Sequence, residues 1–115
     1  RAMRMPIGNL QAVVLEFVQQ VLIPAAETKG GMLPFSVGIV GGLVARQAPA
    51  MATQYLPLMK SLGIADEQNR IDVDLLYEEV SKNLEAHPFN IGPYKPDKTD
   101  LDKLREIMNR HGEQT

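Results

Sequence analysis

Between Asn9 and Ile23 the apolar residues Leu10, Val13, Val14, Phe17, Val18, Val21 and Leu22 recur at intervals of three and four. That spacing lines one face of an α-helix. Gln11, Glu16, Gln19 and Gln20 fall mainly elsewhere. Asn9 suits the N-cap, where a side-chain oxygen accepts from a free backbone N–H. Pro24 disfavours a helical Ile23, so the helix is expected to end or kink there, before a Lys29-Gly30-Gly31 loop.

From Gly30 to Met59 the only charged residue is Arg46. Pro34 suits a first helical turn, and Phe35 to Arg46 predicts a second helix. Val37, Val40 and Val44 make an apolar stripe, and Gly38, Gly41, Gly42 and Ala45 make a stripe of small residues on another side. Each interior glycine costs about 1 kcal/mol relative to alanine, so close approach of another helix is expected to offset it. Pro49 breaks the pattern. A third helix is expected from Ala50 to Leu62, marked by Met51, Tyr55, Leu58 and Leu62, kinked by Pro57 and stopped by Gly63.

Residues 64–70 form a polar connector. Asp72 then reads as the cap of a fourth helix running to about Ala86, with Val73, Leu76, Tyr77, Val80 and Leu84 inward and acidic residues near its start. Pro88 closes it. Phe89-Asn90-Ile91 alternates like a strand and pairs in this reading with Tyr94-Lys95, with Arg70-Ile71 as a candidate third strand. Thr99, three residues before Asp102, has capping-box spacing and is expected to start a last helix from Asp100 to about Arg110. Leu101, Leu104, Ile107 and Met108 would be its buried face, and Gly112 its stop. The fold class is therefore mainly α: a small helical domain of about five helices, with a short β-hairpin between the last two.

Charge divides the chain. Residues 1–60 hold five basic and two acidic side chains, and residues 61–115 hold seven basic and twelve acidic. We read residues 1–63 as an apolar helical N-terminal region and 64–115 as an acidic helix–hairpin–helix unit, together one compact domain. A length of 115 residues suffices for a core without metals or disulfides. Neither half carries the basic patch of a nucleic-acid binder. The absence of cysteine removes thiolate chemistry and fits a reducing, cytoplasmic setting. No signal-peptide cleavage pattern follows the first apolar run. Arg1 and Ala2, which precede the first Met, are set aside.

Candidate chemistry is thin. Asp66, Gln68, Asn69, Ile71 and Asp72 suggest a calcium loop, but the register puts Ile64 and Leu75 where carboxylates are required and Asn69 where glycine is required. His87 and His111 stand 24 positions apart, each near a helix end, without metal-ligand spacing. Ser36, Ser61 and Ser81 lie outside any nucleophile elbow, and the glycines at 38, 41 and 42 are followed by no phosphate-loop lysine. No cofactor or metal is expected, and a familiar enzyme is disfavoured. The uncharged run of sixteen residues from Gly30 to Ala45 is short of the ~20 that span a bilayer, so membrane contact would be peripheral.

What remains is helix packing. Gly38 and Gly42, with Val37, Val40 and Val44, are the candidate interaction residues, because small residues four apart let helices approach closely. A helix that is apolar or small nearly all round must be buried on most sides. The expected function is a non-catalytic structural or protein-interaction module that forms a homo-oligomer, most simply a symmetric dimer, or docks on another protein. The alternative is a membrane-associated or apolar-ligand-binding protein.

Overall fold

The computed structural model describes residues 2–29, 33–82 and 97–114. Strand β1 (Met3–Pro6) lies at the centre of a three-stranded antiparallel sheet, between β2 (Arg70–Asp72) and β3 (Glu113–Gln114). Met5 pairs with Ile71 and Arg4 with Glu113, so β1 joins the middle of the chain on one side and the C-terminal strand on the other. The Arg70-Ile71 strand exists, but its partner is β1. The hairpin expected over Phe89 to Lys95 lies outside the described residues, as does His87.

Pro6, extended at ψ 143°, turns the chain into a helix that starts with a 3-10 turn at Ile7–Asn9. It continues through α1 (Leu10–Phe17), a π-helical stretch (Val18–Leu22) and α2 (Ile23–Lys29). All seven residues of the expected stripe, Leu10 to Leu22, are buried. Two expectations are corrected here. Asn9 is already helical and does not cap; its Nδ2 donates to the His111 carbonyl at 2.7 Å. Pro24 does not end the helix. The Ile23 N–H reaches back five residues to the Val18 carbonyl, and this wider turn accommodates a ring that would crowd the carbonyl four residues upstream in a regular α-helix.

The second and third expected helices are one. Helix α3 (Pro34–Ser61) has 28 residues and runs through Pro49 and Pro57. At 1.5 Å per residue it is about 42 Å long, matching the molecule's longest dimension of 41 Å. Each interior proline removes one N–H from the ladder. The surrounding bonds persist, and Thr53 Oγ1 donates to the Pro49 carbonyl at 2.9 Å. Packing holds the helix straight enough to continue: Ala45 and Leu56 are buried, and Ala48, Ala52 and Met59 pack on the same core. Gly63, at φ +76°, ends the helix. Its N–H donates to the Lys60 carbonyl, and the Ile64 N–H donates to that of Met59 at 2.8 Å. This is a Schellman closure, which requires the left-handed residue at Gly63.

Asp66 organises the following loop. Its Oδ1 accepts from the backbone N–H groups of Gln68 and Arg70, and its Oδ2 accepts from Arg70 Nε and from Arg4 Nη1 on β1. β2 then leads into α4 (Val73–Lys82), with Asp72 Oδ1 accepting from the Leu75 N–H as the expected cap. Helix α5 (Lys98–Arg110) buries Leu101, Leu104, Ile107 and Met108 as its spacing predicts. Its cap is Asp97, not Thr99. Asp97 and Asp100 each accept from the other's backbone N–H, a reciprocal capping box two residues ahead of the expected one. The architecture is mainly helical with a small antiparallel sheet. One buried cluster draws Met5, Phe17, Val37, Ile71, Val73, Leu101 and Ile107 from both halves of the chain.

Candidate functional site

Among the described residues, helix α3 packs against the rest of the molecule along one side. Val37, Gly41 and Ala45, four residues apart, face the first helix and are buried. Gly41 sits so close that an added Cβ would lie 2.5 and 2.6 Å from the γ-carbons of Val18. Residues two positions along are turned by roughly 200°, so Phe35, Ile39 and Leu43 point the opposite way. They are 78%, 52% and 50% exposed. Gln47 interrupts this spacing; Met51, Tyr55, Leu58 and Leu62 are exposed as well, but at 100° per residue they are turned by about 140–200° from Phe35.

The five candidate residues divide between the two sides. Val37 is buried, Val44 packs against the core, and a Cβ added to Gly38 would lie 3.7 Å from Ile23 Cδ1. Val40 is 39% exposed, and an added Cβ on Gly42 would meet nothing within 4 Å. The glycine that lets α3 approach the first helix closely is therefore Gly41. The larger outward residues, Phe35, Ile39 and Leu43, were carried by the same spacing, but sequence alone does not say which side of an all-round apolar helix meets the core.

The face is also electrostatically one-sided. From Thr28 to Ala65 the chain has no acidic residue, and its basic residues there are Lys29, Arg46 and Lys60. Arg46 and Lys60 are exposed.

Polar clusters elsewhere link elements. Glu16 on α1 accepts from Arg110 Nη2 at 3.0 Å and lies 2.7 Å from His111 Nε2. Hydrogen bonding to His111 and then to Arg110 holds its carboxyl below the ordinary glutamate value of 4.5. Between α4 and α5, Tyr77 hydrogen-bonds Asp102, which raises the Tyr77 pKa, and the Arg105 guanidinium stacks 4.7 Å from the Tyr77 ring centre. Arg105 Nε donates to Asp74 at 3.0 Å. The apolar dimple beneath, between Val80 and Leu101, is only water-sized. Ser61 and Ser81 donate to the carbonyls of Leu58 and Tyr77, which accounts for their hydroxyls. Among the described residues no three metal-ligating side chains converge.

One helix among the described residues, Ile7–Thr28, is long and apolar enough to cross a membrane. Its apolar stripe is the one packed in the core. No family model, curated protein or solved structure matches the chain.

Proposed function

We propose that this protein is a non-catalytic interaction module that assembles with copies of itself through the outward face of α3. The observation that carries this reading is the exposed apolar surface opposite the core side of that helix. Nine large apolar side chains on α3 and its two end residues, from Leu33 to Leu62, are between 39% and 78% exposed. At about 200 Å² for a large side chain, half of it exposed, they present roughly 900 Å², against the ~800 Å² that one partner contributes to a standard protein interface. These side chains occupy about 200° of the helix circumference, and large exposed apolar surfaces mark sites of interaction.

Light scattering after size exclusion tests the reading. The expected wild-type mass is twice the 12.7 kDa of the chain. Leu43→Glu, at a half-exposed position, and Gly42→Leu, which fills open space beside it, should each give a monomer with an unchanged far-ultraviolet circular dichroism spectrum. A monomeric wild type overturns the reading. If that monomer sediments with vesicles of phosphatidylcholine and phosphatidylglycerol, the face is a lipid-binding surface instead.

A further inference from the structure

We infer that β3 is a strap: contacts from the first helix and the close seat of Gly112 hold it on β1, and it detaches from β1 while the rest of the fold stays closed. The inference is independent of the self-association proposed above. It begins with the two sides of β1. Asp72 gives its N–H to the Ile64 carbonyl, so its neighbour Ile71 is the β2 residue whose backbone groups face β1. Antiparallel pairing alternates, so Met5 faces Ile71 and Arg4 faces Glu113 on the other side. The Met5–Ile71 side is closed by the core, with the two residues 0% and 2% exposed. The Arg4–Glu113 side is closed by Glu113 and Gln114, both exposed. So short a ladder, with no buried apolar side chain of its own, has little local stability.

The junction between α5 and β3 supplies what the ladder lacks. Asn9 Nδ2 donates to the His111 carbonyl at 2.7 Å. Glu16 holds the His111 ring at 2.7 Å and Arg110 Nη2 at 3.0 Å. Gly112 then brings the chain down onto β1. A Cβ added there would lie 3.0 Å from the Arg4 carbonyl oxygen and 3.3 Å from the Met3 side chain. Gly112 is not among the residues with positive φ, so it is the close approach that calls for glycine. Release of the strap bares the Arg4 N–H and carbonyl. An uncovered strand edge is open to pairing with another extended backbone, so the seating of Gly112 controls that edge.

Hydrogen exchange, followed residue by residue by NMR on the full chain in low concentrations of urea, tests this. In the wild type the Arg4 and Glu113 N–H groups should exchange together. Relative to their intrinsic rates they should be at least roughly tenfold faster than those of Ile71 and Phe17, and respond little to urea, because a local opening exposes little surface. Asn9→Ala should speed Arg4 and Glu113 about fivefold, the worth of one hydrogen bond. Gly112→Ala should cost them at least roughly tenfold in protection, while Ile71 and Phe17 stay protected and the far-ultraviolet circular dichroism spectrum is unchanged. Arg4 and Glu113 amides that exchange at the rate of Ile71, with its urea dependence, overturn the strap, because that edge then opens only with the whole fold. A Gly112→Ala chain that has lost protection at Ile71 and Phe17 as well overturns it too. A separate opening of Arg4 and Glu113 that either substitution fails to speed overturns the seating by the junction.

Discussion

Gly41 and Gly42 are adjacent and chemically identical, yet the fold uses them differently. Gly41 faces Val18, whose β-branched side chain has little freedom to rotate away. Gly42 faces open space. Replacing Gly41 with alanine gains about 1 kcal/mol of helix propensity, while forcing a methyl into a packed contact costs about 1–3 kcal/mol. Inserting the methyl 2.5 Å from a stiff valine puts the cost at the upper end, so Gly41→Ala should lower the urea midpoint. Val18→Ala alone should also destabilise, by about 2 kcal/mol, through lost burial. The two changes are complementary, because one supplies the volume that the other removes. The double variant should be more stable than the sum of the singles by about 1 kcal/mol. Strict additivity in urea titrations would show that the Val18–Gly41 contact is not as tight as the distances state.

At the scale of the element, the last helix gives the sharpest comparison. Its apolar face was legible because Leu101, Leu104, Ile107 and Met108 repeat on one side only. Its start was not, because Thr99–Asp102 and Asp97–Asp100 both have capping spacing, and only the reciprocal hydrogen bonds decide between them. Asp97→Ala should cost about 1 kcal/mol of stability, whereas Thr99→Ala, at an exposed position inside the first turn, should stay within about 0.5 kcal/mol. Equal effects in urea titrations would restore Thr99 as the cap. The prolines failed as boundary signals for a related reason. A proline rule is local, and it cannot register the π turn ahead of Pro24 or the core contacts that carry α3 past Pro49 and Pro57. The sheet was the least legible element. Its strands have four, three and two residues, too short for an alternation to stand out, and β1 reaches partners more than sixty positions away. The exposed apolar side of α3 was half legible: the spacing of Phe35, Ile39 and Leu43 is in the sequence, but its outward direction depends on Gly41 packing against Val18.

At the scale of the whole molecule, two carboxylates hold distant parts of the chain together, and their protonation should govern stability in acid. Glu16 ties α1 to Arg110 and His111 at the end of α5. Asp66 ties the loop before β2 to Arg4 on β1. Burial pushes the Asp66 carboxyl up, but the Arg70 backbone N–H and the Arg4 and Arg70 guanidinium groups outweigh it and leave its pKa below the ordinary 3.8. For Glu16 the bonds to His111 and Arg110 leave the pKa below 4.5. In both cases the unfolded chain takes up its proton at a higher pH than the folded one. The resulting stability is fully present above the ordinary values and is lost as pH falls through the folded ones. At fixed protein concentration, as the proposed self-association requires, the urea midpoint should be flat with respect to these groups from neutrality to about pH 5 and fall below it. Glu16→Gln keeps the side-chain shape but removes the titration, so its midpoint should start lower at neutral pH and fall less steeply in acid. Asp66→Asn should behave in the same way over a lower pH range, since its ordinary value is lower. Parallel acid curves for wild type and both variants would mean that neither carboxylate joins the elements as their geometry indicates.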